Sequence, residues 1–268
     1  MIGAIAGDII GSIHEGADTK TKQFPLFGPH NWFTDDTVLT IAVADWILHG
    51  TDLVDCLHDY FHRYPQVGYG GSFIQWAVRR LREPYNSWGN GAAMRVSPVG
   101  FAFDTLADVM QHAERTAAVT HDHPEGIRGA QATAVAIFLA RTGSDKPAIK
   151  QHIEETFGYD LSEPLDSIRE TYTFDVSCQG SVPQSIVAFL EATDFEDAIR
   201  NAVSLGGDAD TMACIAGGIA QAFWGVPGGI EKRALELLDD HLRGVVQKFN
   251  KRFIGQESQK DNGTVHPK

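Results

Sequence analysis

At 268 residues with 43% hydrophobic content, the chain is long enough to bury one sizeable core, expected over residues 1–254, with a polar, disordered tail over 255–268. A formal net charge of −13 argues against binding nucleic acid through its phosphates. Three widely spaced cysteines, Cys56, Cys178 and Cys214, argue against a disulfide framework and fit a reducing cytoplasm. No uncharged apolar stretch reaches the ~18 residues of a membrane span. Asp8 interrupts the first apolar run and no basic leader precedes it, so no signal peptide is expected.

In chain order, residues 2–14 suit a tightly packed helix, with Gly3, Gly7 and Gly11 forming a smooth stripe at four-residue spacing. Asp8 lies beside that stripe, where a carboxylate needs a partner. A loop over 16–33 leads to a helix beginning near Asp36, and 51–64 is amphipathic. That segment carries HDYFH, whose His58 and His62 lie one turn apart as in zinc proteases, but with Asp59 where Glu is needed and no third ligand. A surface helix explains it more simply. GYGGSF (68–73) is a glycine-rich loop before a helix over 74–81; it does not follow a strand, so a dinucleotide fold is unsupported, yet its N–H groups suit an anion. GNGAAMR (89–95) is a second place where backbone can approach a ligand closely.

Helices are expected over 103–118, 125–141 and 145–157, with His121 and His123 in the turn THDHPEG and an irregular stretch over 158–180. Ser181 reads as a cap with Pro183 in the first turn of the next helix, and Asp194 caps the helix of 195–204. After the stretch 206–223, whose apolar run reads as a mostly buried helix, residues 230–253 read as one more helix. The period is 3.6 throughout, so the fold class is all-α.

Two strings stand out from this pattern. FTDDT (33–37) and GGDADT (206–211) each set two carboxylates and a hydroxyl at the mouth of an apolar helix. One Asp or Thr is a sufficient cap, so the excess calls for another explanation. If the mouths face each other, Thr34, Asp35, Asp36, Asp208, Asp210 and Thr211 form an all-oxygen donor set suited to hard divalent ions. Such ions would relieve the mutual repulsion of the carboxylates.

With GDIIGSIHEG (7–16), FTDDT, GNGAAMR and GGDADT in this order, the sequence resembles the ADP-ribosylglycohydrolase family over residues 2–253. The resemblance implies a compact all-α protein with two Mg2+ or Mn2+ ions, hydrolysing the bond between ADP-ribose and an acceptor such as an arginine or serine side chain. It implies metal ligation by the six residues of the two strings, and an acidic residue near the reacting ribose at Glu15. It also implies ADP-ribose binding by Gly70, Gly71 and Ser72, by Gly89, Asn90, Gly91 and Met94, and by His121. Glu15 is then the candidate general base, with Asp35 or Asp36 sharing the role. ADP-ribose and an ADP-ribosylated protein are the expected partners of a cytoplasmic monomer. The rival readings are hydrolysis of small-molecule or nucleic-acid conjugates and a non-catalytic ADP-ribose reader. A Ser181 or Cys178 hydrolase lacks a nucleophile elbow.

Overall fold

The 3.6-residue period is realised as fifteen α-helices over residues 1–255, which are the residues described by the computed structural model; no β-strand lies among them. The tail expected to be disordered falls, apart from Gly255, outside the described residues. The first helix, α1 (Ile2–Gly11), is followed by a long loop and by α2 (Asp35–His49), capped by the Thr34 side chain and closed by Gly50 at φ 67°. After α3 (Leu53–Arg63), α4 (Gly71–Val78) starts three residues before the expected Ile74, so Gly71 and Ser72 belong to its first turn rather than to a loop. The short helix α5 (Gly91–Met94) lies within the GNGAAMR segment, and α6 (Ser97–Ala102) follows it. Next come α7 (Leu106–Ala118), α8 (Pro124–Arg141) and α9 (Lys146–Phe157).

Three expectations need correction in the second half. The stretch read as irregular contains α10 (Leu165–Thr171). The following helix, α11 (Cys178–Leu190), is capped by Ser177, which accepts from the Gly180 N–H, not by Ser181. Pro183 therefore sits in the helix interior. After α12 (Phe195–Val203), capped by Asp194 as expected, and α13 (Ala209–Trp224), the single helix read from Ile230 is two: α14 (Gly228–Leu237) and α15 (Asp240–Phe253). Leu238 is extended, and Asp239 restarts the helix by accepting from the Leu242 N–H.

All fifteen helices contribute to one apolar core, and the seam between α1 and α13 is its tightest part. A Cβ placed on Gly3 would lie 2.4 Å from the Gly217 carbonyl oxygen, one on Gly7 2.0 Å from that of Ala213, and one on Gly11 2.5 Å from that of Ala209. The two backbones touch, and only glycine permits it. Partner numbers fall as the α1 numbers rise, so the helices are antiparallel. The C-terminal end of α1 therefore lies at the mouth of α13. At the opposite end, the Gly3 N–H, an orphan of the first turn, donates to Gln221 Oε1 at 2.7 Å, which accounts for the amide side chain in the buried C-terminal half of α13. No helix among the described residues is long and apolar enough to cross a membrane.

Candidate active site at the mouths of α2 and α13

The antiparallel seam carries Asp8 to the junction of the two acidic strings. Asp8 is fully buried and accepts from four donors: the Thr34 N–H at 3.0 Å, the Thr34 hydroxyl at 2.7 Å, the Thr37 N–H at 3.1 Å, and the Thr37 hydroxyl. Two of these are orphan N–H groups at the start of α2, so Asp8 fixes that helix to α1. From the facing mouth, the Thr211 hydroxyl donates to Asp36 Oδ2 at 3.2 Å. The helix mouths, far apart in sequence, are thus in direct contact.

Two groups of carboxylates result, Asp8–Asp36–Asp210 and Glu15–Asp208–Asp210, each with ligand oxygens within 4.8 Å of one another. They share Asp210. All resist ionisation. Burial and the Asp210 charge push Asp8 up to about 7 despite its four donors. The same causes, with the other carboxylates adding, hold Asp35 and Asp36 well above the ordinary range, while Asp210 is raised by burial and by Asp208. Asp208 and Glu15 are also raised, chiefly by burial. Such a cluster is costly unless protonated or neutralised by cations. One atom marks the deficit: Asp36 Oδ1 is buried and has no hydrogen-bond partner. An all-oxygen set with an orphaned carboxylate oxygen fits a hard divalent cation.

The clusters open into a cavity of about 360 Å3. Its acidic end is walled by Glu15, Asp35, Asp36, Asp208, Asp210 and Thr211, all named from sequence. Gly70, Gly71 and Ser72 bring the N-terminus of α4 to another wall. Gly89, Asn90, Gly91, Met94 and His121 form the remaining predicted wall. That wall is held by a short ladder: the Asn90 N–H donates to the Val176 carbonyl at 2.8 Å and the Cys178 N–H to the Trp88 carbonyl at 2.9 Å. Thr34 alone among the named residues does not line the cavity, because its hydroxyl is turned to Asp8. Asn90 spends its amide on the acidic cluster, donating to Asp208 Oδ2 at 2.7 Å, and so orients that carboxylate.

Sequence reasoning missed Asp8 as a member of the cluster, although an acid on an apolar face was the signal. It also missed Arg95 and Tyr85 in the cavity wall. Neither His58 nor His62 belongs to a candidate ligand group among the described residues, and the His58 ring lies 4.2 Å from that of Trp76. Cys178 is buried with its thiol pushed up by desolvation, and the Ser181 hydroxyl donates to the Ser177 carbonyl, so neither is an activated nucleophile.

Comparison with known proteins agrees with this geometry. The ADP-ribosylglycohydrolase family model matches residues 1–262. ADP-ribosylhydrolase ARH3 from Homo sapiens is 28% identical, with 84% of each chain covered. The ADP-ribosylarginine hydrolase Tri1 from Pseudomonas putida is 27% identical over 52% of this chain and 39% of its own length. A solved structure titled "ADP-ribosylglycohydrolase-related protein complex" superposes with a TM-score of 0.67 at 26% identity, covering 93% of this chain and 96% of the other.

Proposed function

The chain belongs to the ADP-ribosylglycohydrolase family, and we propose that it is a divalent-metal-dependent hydrolase that cleaves the glycosidic bond between ADP-ribose and a protein side chain such as arginine or serine. The convergence of Asp36 and Asp210 beside a cavity of ligand size, with Asp36 Oδ1 lacking any other partner, carries this reading. Asp36, Asp208, Asp210 and Thr211, with Asp8, Thr34 and Asp35 beside them, are the residues to hold two Mg2+ or Mn2+ ions. When bound, such ions supply Lewis acidity toward sugar hydroxyls and cancel the carboxylate charge.

The chain's own groups perform the rest. Glu15, at the rim of the acidic cluster and with its carboxyl raised, takes a proton from the attacking water, with Asp35 or Asp36 able to share that task, and that proton ends on the nitrogen or oxygen of the departing side chain. The carboxylates nearest the ribose balance positive charge that builds on the ring as the bond breaks. Backbone N–H groups at the start of α4, with the Gly91 N–H, receive the diphosphate. Free cysteines fit a reducing cytoplasm, where we expect the chain to act as a monomer.

Release of ADP-ribose from arginine-linked, serine-linked, nucleic-acid-linked and acetylated substrates in Mg2+ or Mn2+ tests the reading. Turnover of a protein-linked substrate above the others is expected. Turnover of the acetylated or nucleic-acid substrate alone would replace the acceptor class. Tight ADP-ribose binding with no hydrolysis of any substrate would make the chain a reader.

A further inference from the structure

Among the described residues, Arg95 is the only Lys or Arg in the cavity wall, and it is fully buried. Among the described residues no carboxylate pairs with it, and its Nε and Nη1 have no partner. A guanidinium left so poorly satisfied is costly to bury, and packing alone would be served by an apolar residue. Its one engaged nitrogen is informative. Nη2 donates to the Thr116 carbonyl at 2.7 Å and to Thr120 Oγ1 at 2.7 Å. Thr120 is itself buried, and its Oγ1 lies 2.7 Å from His121 Nδ1.

The protons in this chain can be counted. Thr120 Oγ1 already accepts from a cation, so it is a weakened acceptor and a strengthened donor. Its single hydrogen has two places to go, His121 Nδ1 or the Tyr85 phenol, which also faces Thr120. An imidazole nitrogen is a better acceptor than a phenol oxygen, which favours a Thr120-to-Nδ1 hydrogen bond and a ring proton on Nε2. Nε2 lies beside the glycine loop: a Cβ on Gly91 would meet it at 3.2 Å and one on Gly89 at 3.7 Å.

We infer that Arg95 is a positioning residue that acts through Thr120 to lock His121 as the neutral Nε2–H tautomer, which donates to a diphosphate oxygen of the ligand beside Gly89 and Gly91. This assignment of the ligand oxygen rests on the proposed function. Burial and the Arg95 charge also hold the imidazole well below its usual range, so the ring stays neutral and keeps one donor rather than two. The relay explains why a buried cation is retained in the cavity wall.

Long-range 1H–15N NMR of histidine-labelled protein, free of ligand, reads the tautomer directly, and calorimetry with ADP-ribose reads affinity. In the wild type His121 shows hydrogen on Nε2 and an accepting Nδ1. Thr120→Val, nearly isosteric, mixes or inverts the tautomer and weakens ADP-ribose about tenfold, the loss of one hydrogen bond to a charged group. Thr120→Ser restores the tautomer. Arg95→Met does what Thr120→Val does if it folds. A wild-type ring protonated on Nδ1, or a Thr120→Val protein that keeps both tautomer and affinity, would overturn the inference. An Nε2–H ring that responds to Thr120→Val in a protein that binds no ADP-ribose upholds the relay and contradicts the proposed function instead.

Discussion

The two ends of the cavity handle buried charge in opposite ways. At one end, carboxylates from α1, α2 and α13 crowd together, each raised by burial and most by their neighbours as well, and the deficit shows in the orphaned Asp36 Oδ1. At the other, a single guanidinium is buried with no carboxylate, and its field passes through one hydroxyl to one imidazole. The acidic end is unfinished without added cations. At the Arg95 end two guanidinium nitrogens have no partner and no carboxylate among the described residues offsets the charge. A ligand with a sugar at one end and a diphosphate at the other would satisfy both.

The comparison can be broken most severely at the acidic end. Asp36→Ala and Asp210→Ala each remove a carboxylate from the shared cluster and should lower kcat by on the order of a thousandfold or more, since charge stabilisation in a dry site is a large term. Steady-state kinetics with saturating Mg2+ checks this; turnover within tenfold of wild type in both variants would remove the cluster from the chemistry. Glu15→Gln should lower kcat by about a hundredfold while leaving KM and the His121 tautomer alone, because a general base contributes roughly that much. A change confined to KM would make Glu15 a binding group.

The seam offers a sharper cut between the ends. Gly7→Val puts a side chain where a Cβ already lies 2.0 Å from the Ala213 carbonyl, forcing α1 away from α13 and carrying Asp8 with it. A loss of about 2–3 kcal/mol is expected by denaturant unfolding, as for overpacked cores, with weaker metal binding and an unaltered His121. Equal damage to both ends would show that the ends are one unit.

The smallest effect concerns pH. Asp8 is raised from 3.8 to about 7, so the folded metal-free protein binds protons that the unfolded chain has lost. Stability of the chelated protein should therefore fall as pH rises from about 4 through about 7, and the other raised carboxylates act in the same direction. Cations substitute for those protons, so Mg2+ should raise Tm more at pH 8 than at pH 5, by about 5 °C at a hundredfold excess over Kd. A larger shift at pH 5 would contradict the assignment of the strain to carboxylates.

Much of the acidic end could be read from the chain because its chemistry is local. FTDDT and GGDADT carry more oxygen than a cap needs within four or five residues, and the glycine stripe of α1 announces a close helix contact. Asp8 was visible as an acid in need of a partner, but its partners lie 26 and 29 residues away, beyond any periodic pattern. The Arg95 end was opaque for the same reason. Its meaning depends on Thr116 and Thr120, from α7 and the turn that follows it, and no spacing within GNGAAMR encodes them. In the fold, the errors follow from punctuation. Pro183 suggested a helix start but is tolerated inside α11, while the break between α14 and α15 carries neither glycine nor proline, only the Asp239 cap.

Titration of metal-stripped protein with Mn2+, followed by electron paramagnetic resonance, tests most directly whether the two helix mouths share their cations. The account predicts two ions per wild-type chain, and in both Asp36→Ala and Asp210→Ala the loss of tight binding, although these residues belong to different helices. Two tightly held ions in either variant would contradict it.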